Sequence, residues 1–347
     1  MKITIIGYYG YNNYGDDLML FSLVEELLKE NVSLNILVKN RPPSFLENRN
    51  NVNVYTFTEN SKLENIRTFM RSIKNSQILL WGGGTCFTDE DGVSIRYFLI
   101  AKLLLKKIGF IGVGIGKVSG IRKLKTKLVL SISNLITARD TSTFEYFRKI
   151  GIRRNLFLGS DLSYLFNSEI VKTNENYLLI SLHYLTNYLS EEEIAKRRET
   201  LINNIINSNK LYAKVRILPL CNEDFNENYK LFTELKEKGI NVELCKEKSF
   251  DKRTFIISKS KFFYSERLHG YIISFFLDIK CMPLKYSRKF DFFIKDEMLS
   301  YPSISLQEFE NFNSNWEWYQ DAEISYNKTR LDPMRVSSNI DQILRII

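Results

Sequence analysis

Histidine is scarce in this sequence, with 2 in 347 residues, and the four cysteines (Cys86, Cys221, Cys245, Cys281) stand apart with no CxxC pair. That scatter argues against a disulfide scaffold or a structural zinc site and fits a reducing compartment. Long hydrophobic runs are missing as well. The longest apolar stretches, such as Tyr97 to Leu105, fall far short of the roughly 20 residues a spanning helix needs. Met1 and Lys2 lead straight into Ile3-Thr4-Ile5-Ile6-Gly7, which reads as a short buried strand and not as the apolar core of a leader. The expectation is a cytoplasmic protein, peripheral at most at the inner face of a membrane. No GxGxxG, Walker lysine, solenoid repeat or low-complexity segment occurs.

What is present is basic and aromatic. Lys and Arg number 49 against 40 Asp and Glu, a formal net charge of +9, and 24 Phe with 19 Tyr predict aromatic surfaces in grooves as well as cores. The positive excess asks for an anionic partner: nucleic acid, a membrane surface, or a phosphorylated or carboxylated small substrate. Lysines run along the whole chain without forming a basic tail. With no basic stripe and no recognised binding motif, nucleic acid ranks last.

The length predicts two domains. Through the first half, apolar runs alternate with amphipathic stretches, the pattern of β-α units in a parallel, doubly wound sheet. Strands are expected at 2–6, 33–38, 52–57, 77–81, 110–113, 134–138 and 156–158, with helices at 16–29, 63–73, 95–107, 123–133 and 141–149. A polar interval, 167–176, reads as a linker, after which the pattern restarts. This gives domains at 1–166 and 177–299, with a helical tail at 300–347 packing across both. Two such Rossmann-like halves are expected to face each other over a cleft lined by strand ends, where these sheets bind ligands.

Several motifs fall at those strand ends. Gly7-Tyr8-Tyr9-Gly10-Tyr11-Asn12-Asn13-Tyr14-Gly15-Asp16-Asp17 follows a strand and leads into a helix. Its tyrosines and asparagines look like a platform for a sugar ring. Turn formation and helix capping by Asn13 and Asp16 are the plainer alternative. Gly82-Gly83-Gly84, followed by Asp89, and Gly112-Val113-Gly114-Ile115-Gly116 point to the same sheet edge. Arg139-Asp140 reads as an anion site or an ordinary ion pair. Ser265-Glu266-Arg267-Leu268-His269-Gly270 is the strongest local signal. It places a guanidinium and one of the two histidines at a strand-to-helix junction. His183 ends another strand, and Lys285-Tyr286-Ser287-Arg288-Lys289 adds cations after a third.

Taken in order, these motifs resemble the polysaccharide pyruvyl transferase family. The resemblance rests on the Gly7–Asp17 loop, Gly82-Gly83-Gly84, Gly114-Ile115-Gly116, Ala138-Arg139-Asp140 with Ser142, Ser160-Asp161, Arg267-Leu268-His269-Gly270, and Pro283 with Tyr286 and Lys289. It implies a two-domain fold similar to GT-B glycosyltransferases. It also implies transfer of a pyruvyl group from phosphoenolpyruvate to two hydroxyls of a cell-surface glycan, such as a capsule or exopolysaccharide, or of its polyprenyl-diphosphate-linked precursor. The donor is a substrate, and neither a cofactor nor a metal is implied.

In that scheme the second domain takes the donor. His269 is the general acid or assists phosphate departure, and Arg139, Arg267 and Lys289 neutralise the donor's anionic groups. His183, Gly270 and Tyr286 complete the donor side. Asp16, Asp17 or Asp89 orients or deprotonates the acceptor, held by Tyr8, Tyr11, Asn13, Gly15, Gly83 and Gly84. The sequence departs from the family at His183, where many members have arginine. A GT-B glycosyltransferase with a nucleotide-sugar donor is the rival enzyme reading, and a non-catalytic glycan-binding protein is the third.

Overall fold

The computed structural model describes residues 1–59, 61–89, 94–167, 173, 175–286, 290, 304–305 and 333–346. The chain divides into two compact units, Met1–Asn167 with Thr329–Ile347 and Ser168–Lys328.

In the first unit, β1 (Lys2–Ile6), β2 (Ser33–Lys39), β3 (Val52–Phe57), β4 (Ile78–Phe87), β5 (Lys107–Ile115), β6 (Leu135–Ala138) and β7 (Leu156–Leu158) form one parallel sheet in the order β3-β2-β1-β4-β5-β6-β7. Helices α1 (Tyr14–Lys29), α2 (Lys62–Ile73), α3 (Ile95–Leu103), α4 (Gly120–Ser131) and α5 (Thr141–Lys149) alternate with the strands. A sheet covered on both faces needs near-continuous apolar strands, and Ile78-Leu79-Leu80-Trp81 is fully buried. Phe98 from α3 stacks on Phe110 from β5 with ring centroids 4.7 Å apart, at the centre of the core. Truncating such a buried ring costs about 3–5 kcal/mol.

The second unit repeats the design. Strands β8 (Glu175–Ser181), β9 (Lys214–Ile217), β10 (Val242–Leu244), β11 (Ser260–Ser265), β12 (Cys281–Lys285) and β13 (Ile304–Ser305) run parallel in the order β10-β9-β8-β11-β12-β13. Helices α6 (Glu191–Ser208), α7 (Phe225–Glu237), α8 (Phe250–Ser258) and α9 (Leu268–Phe276) connect them. Each order reverses beside its first strand, at β1/β4 in one unit and β8/β11 in the other. In open parallel sheets ligands bind at the carboxyl ends of the strands flanking that reversal.

The structure departs from the sequence reading in three places. The glycines of Gly82-Gly83-Gly84 and Gly112-Val113-Gly114 lie inside β4 and β5, where continued β4–β5 pairing carries both strands past their expected ends. Helix α3 stops at Leu103, because Lys107 already begins β5. The tail is divided: Ile304–Ser305 pairs with β12, and α10 (Pro333–Ile346) belongs to the first unit. There Thr137 donates to Asn339 Oδ1 at 2.6 Å, and Asn339 Nδ2 donates to the Ser160 carbonyl at 3.1 Å. All four cysteines are buried and free. Among the described residues no helix is long and apolar enough to cross a membrane.

Candidate functional site

In the first unit the loop after β1 is held tightly. Tyr9 is buried, and its hydroxyl donates to the Gly82 carbonyl at 2.6 Å, joining the loop after β1 to the middle of β4. Gly10 takes φ +85°, and a Cβ there would meet the Lys39 carbonyl oxygen at 1.8 Å, so only glycine fits. Asn13 caps α1 by accepting from the Gly15 amide at 3.0 Å. For Asn13, one of the two residues of the capping alternative, capping is what the side chain does in the fold.

Tyr9 and Tyr14 belong to the core, whereas Tyr11 is exposed under the Lys39 ammonium and Tyr8 packs edge-on against Trp81. Of the adjacent carboxylates, Asp17 is buried and Asp16 is half-buried in the first turn of α1. A Cβ on Gly84 would lie 3.7 Å from Asp16 Oδ1, and Gly83 and Gly84 both have positive φ. The carboxylate thus looks onto bare β4 backbone. Asp89 is engaged differently. Its two oxygens accept from the Ser119 amide at 2.9 Å and the Ser119 hydroxyl at 2.8 Å, which hold its carboxyl below the ordinary range.

Arg139, just past β6, lies flat on β5, where a Cβ at Gly114 would come within 2.6 Å of its Nε. Its three nitrogens face Asp140 Oδ2 at 3.3 Å, Asp161 Oδ2 at 3.5 Å and Thr85 Oγ1 at 3.0 Å. This guanidinium ties three segments of the edge together. Burial pushes the Asp140 carboxyl up, but Arg139 and the Ser142 and Thr143 donors outweigh it and hold the group below its ordinary value.

The second unit builds its reversal point from buried charge. Glu266, fully buried after β11, accepts from Arg197 Nη1, from the His183 amide and from the Tyr264 hydroxyl, each at 2.8 Å. Burial pushes its carboxyl above the ordinary glutamate range, with Arg197 and the two neutral donors pulling the other way. Asp224, fully buried just before α7, receives Arg267 Nε at 2.8 Å and Nη2 at 2.6 Å, and also the Tyr184 amide at 3.0 Å. Two carboxylates therefore clamp the segment after β8 to the segment after β11. Burial works against the Arg267 charge, and Asp224 more than offsets it, so the guanidinium stays protonated.

Among the described residues Asp224 engages only two of the three Arg267 nitrogens, and the side chain keeps 18 % exposure. His269 follows in the first turn of α9, half-buried. His183 Nδ1 faces the Tyr184 carbonyl at 2.7 Å. A carbonyl only accepts, so in the neutral ring Nδ1 carries the proton. The His183 ring lies 4.7 Å from that of Tyr286, which also meets Tyr188 at 5.1 Å. Burial keeps the Tyr286 phenol well above its ordinary value despite the Arg267 charge, so it acts as a neutral hydroxyl. Gly270 serves packing: a Cβ there would meet Ser265 Oγ at 2.2 Å, and its amide donates to the Arg267 carbonyl. Lys289 lies outside the described residues.

Sequence reasoning passed over Asp224 and Arg197 and gave Glu266 no role. Arg197 shares the buried face of α6 with Ile194 and Leu201, at i, i+3 and i+7, which was the available signal. Asp224 looks like one more acidic residue ahead of a helix. Only the tertiary fold brings it to Arg267. Among the described residues no group of three or more His, Cys, Asp or Glu could hold a metal ion.

A family model described as polysaccharide pyruvyl transferase matches residues 13–288. The chain belongs to the polysaccharide pyruvyl transferase family. It is thus a transferase of polysaccharide biosynthesis. No curated protein matches it in sequence. Solved structures match in fold. A putative UDP-N-acetylglucosamine 2-epimerase from Listeria monocytogenes aligns with TM-score 0.67 and 13% identity, over 99% of this chain and 96% of that one. The UDP-GlcNAc 2-epimerase of Methanocaldococcus jannaschii gives 0.66 and 13% over 100% of both chains. That of Neisseria meningitidis, bound to UDP-GlcNAc, gives 0.65 and 14% over 99% and 100%. At such identities the likeness shows the fold alone: this pyruvyl transferase family member has a GT-B-like fold, with a Rossmann-like sheet in each unit.

Proposed function

We propose that this protein transfers the three-carbon unit of phosphoenolpyruvate to two hydroxyls of a sugar, closing a cyclic pyruvate ketal on a glycan or its lipid-linked precursor. Family membership supports pyruvyl transfer. The observation that carries the donor assignment is the Asp224–Arg267 pair, in which a buried carboxylate fixes two guanidinium nitrogens and leaves the third edge for an anion.

The chemistry needs a proton at the donor's methylene carbon, cations for its phosphate and carboxylate, and acceptors for two hydroxyl protons. His269, beside Arg267 at the start of α9, supplies the proton to carbon 3. The cationic carbon 2 that results is attacked by one sugar hydroxyl. The carbon 2–phosphate bond then breaks, and the second hydroxyl closes the ring. Of the two hydroxyl protons, one balances the new methyl group and the other leaves on phosphate. Arg267 and the positive end of α9 stabilise the charge on donor and leaving group.

On the first unit, Tyr8 and Tyr11 offer rings to the acceptor sugar. Asp16 is the best placed base, because Asp17 is buried and Asp89 is held low by Ser119. Arg139 acts as a brace of that edge. The test measures phosphate release and a pyruvyl mass increase on candidate sugars. Arg267→Ala and His269→Ala should each lose about 100-fold or more in turnover. Near wild-type turnover in both, or turnover of a nucleotide sugar instead, would overturn the assignment.

A further inference from the structure

The positive surplus is far less evenly spread than the scatter of lysines suggests. Residues 92–139 hold ten Lys and Arg and no Asp or Glu, while the rest of the chain has 39 cations against 40 carboxylates. This stretch includes α3 and α4, which pack against each other. Helix α4 buries Thr126, Val129 and Leu130 and turns Ile121, Leu124 and Leu128 outward at 68%, 68% and 50% exposure. These follow i, i+3, i+7 spacing, so they form one stripe, flanked by exposed Lys123, Lys125 and Lys127. Leu103, which ends α3, and Leu105 just past it are 83% and 91% exposed, next to Lys102, Lys106 and Lys107.

Leu105 adds a second, independent sign. It lies just past the end of α3 at φ +55°, the left-handed position that helix ends normally fill with glycine. A leucine there is strained and contributes almost no buried surface. Folding does not account for it.

We propose that the α3–α4 face of the first unit docks onto an anionic lipid bilayer, its leucines entering the interface while the lysines contact lipid phosphates. An apolar stripe bordered by cations, with no carboxylate in the segment, is complementary to such a surface. A protein partner, or a second copy of this chain, whose remaining residues balance 39 cations against 40 carboxylates, would not call for a cluster of uncompensated lysines around apolar side chains. Asp89, which meets the residue just before α4, is already engaged by Ser119. The inference is independent of the reaction.

Sedimentation of the full chain with vesicles tests it. Vesicles of equal parts phosphatidylglycerol and phosphatidylcholine should bind the protein, and phosphatidylcholine alone should not. Each cation near the surface contributes roughly five-fold, so Lys123→Gln, Lys125→Gln and Lys127→Gln together should weaken binding about 100-fold. Leu105→Gly should weaken binding while raising the melting temperature, a combination that a purely structural role would not produce. Absence of binding to anionic vesicles, or unchanged binding in either variant, overturns the proposal. So does a concentration-dependent dimer that competes with vesicles and dissociates on Leu124→Ser.

Discussion

The two units share a strand order and differ in what they place where it reverses. At β1/β4 the rim is shaped by glycines and neutral groups: Tyr9 bonded to Gly82, Asn13 capping α1, and positive-φ backbone at Gly83 and Gly84. The arginine of that edge, Arg139, has all three nitrogens directed at neighbours within the unit. At β8/β11 the rim is held by buried carboxylates, Glu266 and Asp224, and its Arg267 keeps one edge open. In the proposed reading, the shared strand order thus presents one surface to a neutral ring with many hydroxyls and another surface to a compact anion. Identical strand order does not imply identical chemistry; the polar residues in the first turn past each strand decide it.

The largest expected effect comes from Asp224→Ala. Removing it leaves the Arg267 charge in a largely buried position, which destabilises the fold by about 3–5 kcal/mol. Asp161→Ala in the first unit should cost about 1–2 kcal/mol, since Arg139 keeps Asp140 and Thr85. Urea unfolding of both variants gives the comparison, and equal losses would erase the contrast. Gly10→Ala should cost about 2 kcal/mol or more through the clash with Lys39 and the positive φ, measured by the same titration. Tyr9→Phe removes one buried hydrogen bond and should cost about 1 kcal/mol.

The smallest effect is pH-dependent. Asp140 titrates below its ordinary value in the folded chain, so the stability it contributes is present above the unfolded value, about 3.9, and is lost as pH falls through the folded one. The stability difference between wild type and Asp140→Asn, about 1 kcal/mol at neutral pH, should therefore shrink in acid. A difference that grows as pH falls would contradict the Arg139–Asp140 account.

Much of the architecture was legible because apolar runs bounded by glycine and polar turns carry strand and helix information locally. Val52–Phe57 and Thr141–Lys149 fall where the periodicity puts them. The ends of β4 and β5 were not legible, because backbone pairing between neighbours, and not side-chain pattern, carries a strand through Gly82-Gly83-Gly84. At the rims the sequence marked Arg267, His269 and Asp16 by type and position. The Asp140 partner of Arg139 was legible as its neighbour, but the distant partners stayed hidden, since Asp224 lies 43 residues from Arg267 and Asp161 lies 22 from Arg139. Nothing local distinguishes a carboxylate that clamps an arginine from one that caps a helix.

Calorimetric titration with phosphoenolpyruvate tests the central contrast most directly. Wild type and Arg139→Lys should bind the donor alike, while Arg267→Lys, which loses the planar fork seated on Asp224, should bind it at least about ten-fold more weakly. Weakened binding in Arg139→Lys with full binding in Arg267→Lys would contradict the account and move the anion site to the first unit.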